Sequence, residues 1–273
     1  MYELFRTIIV LSLFGSAITA VLLCLKPVTS KKFPAKWQYY VWVAVLLAMI
    51  IPVYKIIPKK EAQKLTVIQQ TQIAADQVSD TDPDSPITAE ITPIASREII
   101  VSPSHSIRLV DLIAYIWFAG VCVFLLVVLL SYMIYLSRKR TYSVRIEYSP
   151  ILEQAKRELG IKRNIRIRMA EDVNSPMLSG ILFPIVYIPC REISDEKMYM
   201  VFLHELTHYK RNDLFIKWLS IFVNALHWFN PLCYLLCANI SEVCEVSCDM
   251  SVTKNMSDEE QKLYMKTILY LAE

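Results

Sequence analysis

Glycine is scarce in this chain, four residues in 273, and no cysteine falls between positions 58 and 108. The cysteines number seven, an odd count, and no two of them form a C-x-x-C pair. These absences exclude a secreted disulfide framework and the usual structural zinc knuckle. Cys233 and Cys237, then Cys244 and Cys248, are each spaced by four, which suits packing along one helix face. Charge is thin as well, at 20% of residues with a formal net charge of +3. No basic-aromatic nucleic-acid motif is present, so direct contact with DNA or RNA is not expected.

What the chain has instead is apolar residues, 55% of the total, with a mean hydropathy of +0.37. They are clustered. Residues 7–25, 37–54 and 112–136 form three charge-free runs of spanning length. Trp37, Tyr39, Tyr40 and Trp42 mark one end of the second run, and Tyr132 and Tyr135 one end of the third, as interfacial aromatics do. A cleavable leader is the rival reading of the first run, with Ala20 at the cleavage site. Ile18 fits that role poorly and the apolar run continues to Leu25, so a retained helix is expected.

Lys26, Lys31, Lys32 and Lys36 lie between the first two runs, and Arg138, Lys139 and Arg140 follow the third. Both basic stretches read as cytoplasmic, which puts the N-terminus outside. The expected division is two membrane helices with a short basic cytoplasmic loop over residues 1–57, an extracellular flexible loop over 58–108, a third membrane helix over 109–136 and a cytoplasm-facing, membrane-associated domain over 137–273. Residues 69–103 are rich in Ser, Thr, Asp, Gln and Pro and carry no aromatic residue, the composition of an exposed tether.

Beyond Arg140 the pattern is that of an α+β domain. Residues 143–148 and 164–169 alternate as strands, and 151–159 read as a short helix stopped by Gly160. A third strand is expected over residues 181–188, placed at a sheet edge because Pro184 lacks an N–H. An edge beside the next helix could receive a peptide by strand addition. That helix is capped by Ser194, has Asp195 and Glu196 in its first turn, and places Met198, Val201, Phe202 and Leu206 in one apolar stripe on a run to Tyr209.

It also carries His204-Glu205-Leu206-Thr207-His208. Two histidines four apart on a helix share a face and can bind one Zn²⁺, with Glu205 left beside the metal as general base. Five letters with three fixed can arise by chance, so a third ligand is needed. A later helix supplies Glu245, which shares a face with Glu242 and Asp249. Asp249, one turn beyond Glu245, is placed to accept the free ring N–H of a ligating histidine.

Residues 214–238 create a conflict, because Lys217 is their only charge and hydropathy alone makes them a fourth span. A single crossing would put Glu245 across the bilayer from His204 and His208. The stretch His227-Trp228-Phe229-Asn230-Pro231 resolves it as two shorter helices joined by a turn, since the residue before a proline resists helix and Pro231 suits a new first turn. His227 then reads as an interfacial residue beside Trp228. The last element opens with Ser257-Asp258-Glu259-Glu260, a capping box, and runs through Leu263, Tyr264, Ile268 and Leu271 to a chain end without a C-cap, as in a gene product shorter than its relatives.

Taken together the chain resembles the membrane metallopeptidase part of the BlaR/MecR-type antibiotic-sensing transducers. The resemblance rests on the three leading runs, Ser175-Pro176 through Gly180 to Pro184 and Pro189, Tyr209-Lys210-Arg211-Asn212-Asp213, the His227 to Pro231 stretch, and Glu245-x-x-Cys248-Asp249. It implies a multi-span α-helical protein of the bacterial plasma membrane with a cytoplasmic gluzincin-like domain. It also implies zinc held by His204, His208 and Glu245, with Glu205 as base and Asp249 behind the ligands. The implied activity is that of a regulatory zinc metalloendopeptidase that cleaves itself and inactivates a BlaI/MecI-type repressor, inducing resistance genes. The family's final span and penicillin-binding sensor have no counterpart here; Ser194-Asp195-Glu196-Lys197 matches S-x-x-K, but no S-D-N or K-T-G follows. Two other readings share these residues: a membrane-protein quality-control protease of the Ste24/HtpX sort, and a non-enzymatic transducer whose zinc is structural. Oligomeric state, inducer and cleavage site are not legible.

Overall fold

The computed structural model describes residues 1–52, 109–146 and 149–272. Helix α1 spans Tyr2–Lys32 and α2 spans Ala35–Ala48; α3 spans Leu109–Thr141. Of these, α1 and α3 are long and apolar enough to cross a membrane. Helix α2 is not, at 14 residues, and the remainder of its expected run past residue 52, like the expected external loop, lies outside the described residues. One face of α2 is packed inside the protein. Tyr39, Trp42, Val45, Leu46 and Met49 are buried against Leu236, Ile240, Val243 and Cys244 of a later helix, so two of the four expected interfacial aromatics, Tyr39 and Trp42, are core residues.

A small α+β unit follows α3. Strand β1 (Ser143–Ile146), helix α4 (Pro150–Leu159), and strands β2 (Arg166–Ala170), β3 (Met177–Ser179) and β4 (Ile185–Pro189) build a four-stranded mixed sheet in the order β1-β2-β4-β3. Helix α4 is capped by Ser149, whose side chain accepts from Leu152 N–H, and ends on Gly160 at φ 70°, a left-handed cap that favours glycine. β4 pairs in parallel with β2 and antiparallel with β3, so it is an inner strand. This corrects the expectation of an edge strand over 181–188. Gly180, at φ 85°, turns the chain after β3, and Pro184 sits in the turn before β4, where its missing N–H breaks no ladder bond. The edges are β1 and β3.

Alternation along the strands gives the sheet two unlike faces. Ile167, Val186 and Ile188 face a core shared with Leu152, Phe202, Leu206 and Tyr264, whereas Arg166 and Arg168 stand on the other side. Against the apolar face lies α5 (Asp195–Arg211), with Val201, Phe202 and Leu206 almost wholly buried. Ser194 precedes α5 but its side chain makes no capping hydrogen bond; its carbonyl accepts from Met198 N–H at 2.9 Å.

Helices α6 (Asp213–Leu226) and α7 (Pro231–Val252) are two helices joined by a turn at His227 to Asn230. Asn230 caps α7 by accepting from Leu232 N–H at 3.0 Å, with Pro231 at the first helical position. His227 is not interfacial: it is fully buried, with Nε2 3.1 Å from the Met49 carbonyl. α8 (Asp258–Ala272) closes the chain, opened by the expected capping box, in which Glu260 N–H donates to Ser257 Oγ at 3.3 Å and Ser257 N–H to Glu260 Oε2 at 2.8 Å.

Candidate metal centre

Helix α5 carries His204 and His208 one turn apart, and α7 brings Glu245 across from them. The two Nε2 atoms lie 3.1 Å apart, and Glu245 Oε2 is 3.1 Å from His208 Nε2 and 3.7 Å from His204 Nε2. Zinc bonds of about 2.0–2.1 Å at tetrahedral angles would set ligand atoms roughly 3.3 Å apart. The three atoms meet that spacing.

The opposite edge of each imidazole decides its tautomer. His208 Nδ1 is 2.9 Å from Asp213 Oδ2, and Asp213, in the first turn of α6, is 1% exposed and also receives the Tyr39 hydroxyl at 3.0 Å and Arg211 Nε at 3.2 Å. His204 Nδ1 is 2.7 Å from the Tyr264 hydroxyl, which donates to Asp249 Oδ1 at 2.6 Å; Nδ1 to Asp249 Oδ1 is 3.2 Å. Carboxylates behind both rings therefore hold the neutral rings' protons on Nδ1. In that neutral form both Nε2 atoms and Glu245 Oε2 are bare lone pairs crowded within 3.7 Å, a repulsive arrangement that either a second proton on the rings or a cation between them relieves.

The local charge agrees. Glu205, Asp213, Glu245 and Asp249 surround two imidazoles. Burial opposes protonation of His204, but Asp249 and Glu245 overcome it and push its pKa up to about 10; His208 is raised too, against its own burial, chiefly by Asp213. Glu245 and Asp249 move the other way: burial alone would raise them, yet hydrogen bonds from the histidines hold both below the usual carboxylate range. A site that draws extra positive charge onto its histidines fits a divalent cation equally well.

Glu205 is buried, with Oε2 accepting from Leu178 N–H of the edge strand β3 at 2.8 Å. Burial raises its pKa, offset in part by the neighbouring histidines and that backbone donor. It lies with both histidines and Glu245 in a cleft of about 350 Å³, walled by Met177 and Leu178 on one side and Leu214 and Lys217 on the other. Lys217 Nζ binds Glu245 Oε1 at 2.8 Å, leaving Oε2 toward the histidines.

Two cysteines also approach the centre: Cys248 joins His204 and His208 in a group with metal-ligating spacing, and Cys244 joins His208 and Asp213. The Cys248 thiol lies 3.6 Å from the His204 carbonyl, a weak donor contact along the helix interface, and Asp213 is held at the Nδ1 edge of His208, away from the Nε2 pair. Glu245 has the better geometry for a third ligand, because its oxygen completes the triangle with both Nε2 atoms. Glu242 is turned away, 60% exposed and paired with Lys26 at 2.7 Å.

Sequence reasoning passed over Asp213, Tyr264, Lys217 and the Leu178 amide. Lys217 left a trace as the only charge in residues 214–238, since a lone cation in an apolar helix needs a partner. Asp213 follows the expected helix end and gave no periodic signal. Tyr264 fell on an apolar stripe, and spacing says nothing of where its hydroxyl goes.

The profile of a known family, described as BlaR1 peptidase M56, matches residues 6–273. The regulatory protein BlaR1 of Bacillus licheniformis is 25% identical over 265 residues, 94% of this chain and 43% of that protein. The methicillin resistance mecR1 protein of Staphylococcus aureus (strain Mu50 / ATCC 700699) is 29% identical over 111 residues, 40% of this chain and 19% of that protein. The chain thus spans less than half the length of these curated relatives.

Proposed function

Because the chain belongs to the BlaR1 peptidase M56 family, we propose that it is a membrane-embedded zinc metalloendopeptidase that acts as a regulatory signal transducer. Its substrates on this reading are its own chain and a BlaI/MecI-type repressor, whose loss induces resistance genes. The N-terminus faces outward, α1 and α3 cross the plasma membrane, and the peptidase centre works on the cytoplasmic side. The turn at His227 to Asn230 lets α6 and α7 approach the bilayer and return, keeping Glu245 on the side of α5.

The observation that carries the reading is the triangle of bare ligand atoms on His204, His208 and Glu245 beside a buried Glu205. Those three residues would hold Zn²⁺, which when bound supplies Lewis-acid polarisation of a carbonyl and acidification of a water. Glu205 does the proton work. Leu178 N–H fixes its Oε2, leaving Oε1 to take a proton from the attacking water and pass it to the leaving amine. Its raised pKa suits that double role, because a carboxylate too weakly basic would not retain the proton for the second transfer. Strand β3 forms the cleft wall and an unpaired sheet edge, along which an extended peptide can lie, although the Leu178 N–H is committed to Glu205.

Replacing Glu205 by Gln tests this directly. Zinc content and folding should persist, while cleavage of the chain itself or of a co-expressed repressor should fall by about two orders of magnitude or more. A Glu205→Gln chain that cuts like wild type would show that Glu205 is not the base, and an outcome in which neither chain cuts while both signal would leave only a structural zinc.

A further inference from the structure

We propose that the large cavity on the far side of the sheet from the metal centre holds one anionic phospholipid, its phosphate on a cluster of arginines and its chains along the end of α3. The cavity measures about 890 Å³ and lies between the C-terminal part of α3, α6 and the sheet face opposite the core. Four arginines line it, Arg140, Arg145, Arg166 and Arg168, and among the described residues no acidic one does.

The charge is built into the sheet. Arg166 and Arg168 flank the core residue Ile167 and so share the outer face, and Arg145 on β1 is the direct cross-strand partner of Arg168. Like charges placed opposite one another destabilise a sheet. None of the four is in an ion pair among the described residues. Arg168 is held in place by Ser143, with Nε 2.6 Å from its Oγ and a terminal nitrogen 2.8 Å from its carbonyl. A phosphate set among these groups offsets the repulsion with charge-assisted hydrogen bonds.

The rest of the wall is apolar and continuous with the membrane helix. Tyr132, Met133 and Leu136 come from the last apolar turns of α3, immediately before Arg140. Across the cavity, Trp218 of α6 packs edge-on against Tyr132 at 4.8 Å. The β3–β4 turn adds Leu182 and Phe183, 71% and 70% exposed, with Arg166 stacked over the Phe183 ring. An occupant matching both halves has an anionic head and apolar tails, and sits where a spanning helix leaves the bilayer. A bare anion or an acidic peptide would leave the apolar half uncovered.

The inference rests on the reading of α3 as a membrane span. The test uses the full chain purified in neutral detergent, given equimolar dioleoylphosphatidylglycerol and dioleoylphosphatidylcholine, with retained lipid counted by native mass spectrometry. One phosphatidylglycerol per chain should be kept, with a preference of about tenfold or more. The double variant Arg145→Gln, Arg166→Gln should lower that preference about tenfold at unchanged zinc content, and Arg140→Gln, which removes one charge of the four and none from the sheet, should lower it less. Equal retention of the two lipids by wild type, or an unaltered preference in both variants, overturns the proposal. So does displacement of the lipid by millimolar inorganic phosphate, which marks a simple anion site, or by a polyglutamate peptide, which marks a protein-binding one. Release of the chain from membranes by alkaline carbonate removes the spanning premise and the lipid site with it, whereas equal lipid retention by a carbonate-resistant chain removes the lipid site alone.

Discussion

At the scale of single residues, the centre depends on groups that never touch the metal position. Asp213 holds the Nδ1 edge of His208, and the Tyr264 hydroxyl with Asp249 holds that of His204. Removing such a partner leaves the ligands in place but frees the ring and its tautomer. Asp213→Asn should therefore weaken zinc binding by about 10–100-fold, measured by competition with a chromophoric chelator. Unchanged affinity would mean that the helix alone orients His208. That His204, His208 and Glu205 lie together was legible because a five-residue spacing on a helix fixes their geometry locally. Asp213 and Tyr264 were not, because their roles arise from contacts across α6 and α8 that no periodicity encodes.

At the scale of elements, the junction between α5 and α6 has no spare residue. Asn212 ends α5 in the left-handed conformation at φ 58°, and α6 begins at Asp213, so the position of the buried carboxylate depends on that cap. Asn212→Val, which a left-handed backbone penalises by about 1–2 kcal/mol, should lower the thermal midpoint of the zinc-loaded chain by several degrees, and Asn212→Gly should leave it unchanged or raise it. A tolerant Val variant would show that the junction relaxes. Helix ends here were readable from Gly160, Pro231 and the Ser257 box, each a local chemical signal. The β3–β4 hairpin was not, since its apolar run 181–188 looks like one strand until Gly180 and Pro184 are seen to bracket a turn. Ser194 likewise precedes α5 without capping it.

At the scale of the whole molecule, the contrast between long apolar helices and a small mixed sheet was visible in composition, because apolar runs and alternating segments occupy different stretches. The place of α2 was not, since two of its aromatics that read as interfacial, Tyr39 and Trp42, pack on α7. The proposed topology predicts that, in a chain cleared of native thiols, a cysteine at Asp82 reacts with an impermeant maleimide from outside the cell and one at Met256 does not. External labelling at position 256 would place α7 and Glu245 on the wrong side of the membrane for the histidines of α5.

The central claim is that one ion is held by two imidazoles and a carboxylate, with the cysteines of α7 serving only as packing. X-ray absorption at the zinc edge of the purified chain measures this most directly. The account predicts one zinc per chain with a nitrogen and oxygen shell at about 2.0–2.1 Å, including two imidazoles and no sulfur. A sulfur shell near 2.3 Å would assign the third position to Cys248 or Cys244 instead of Glu245 and contradict it.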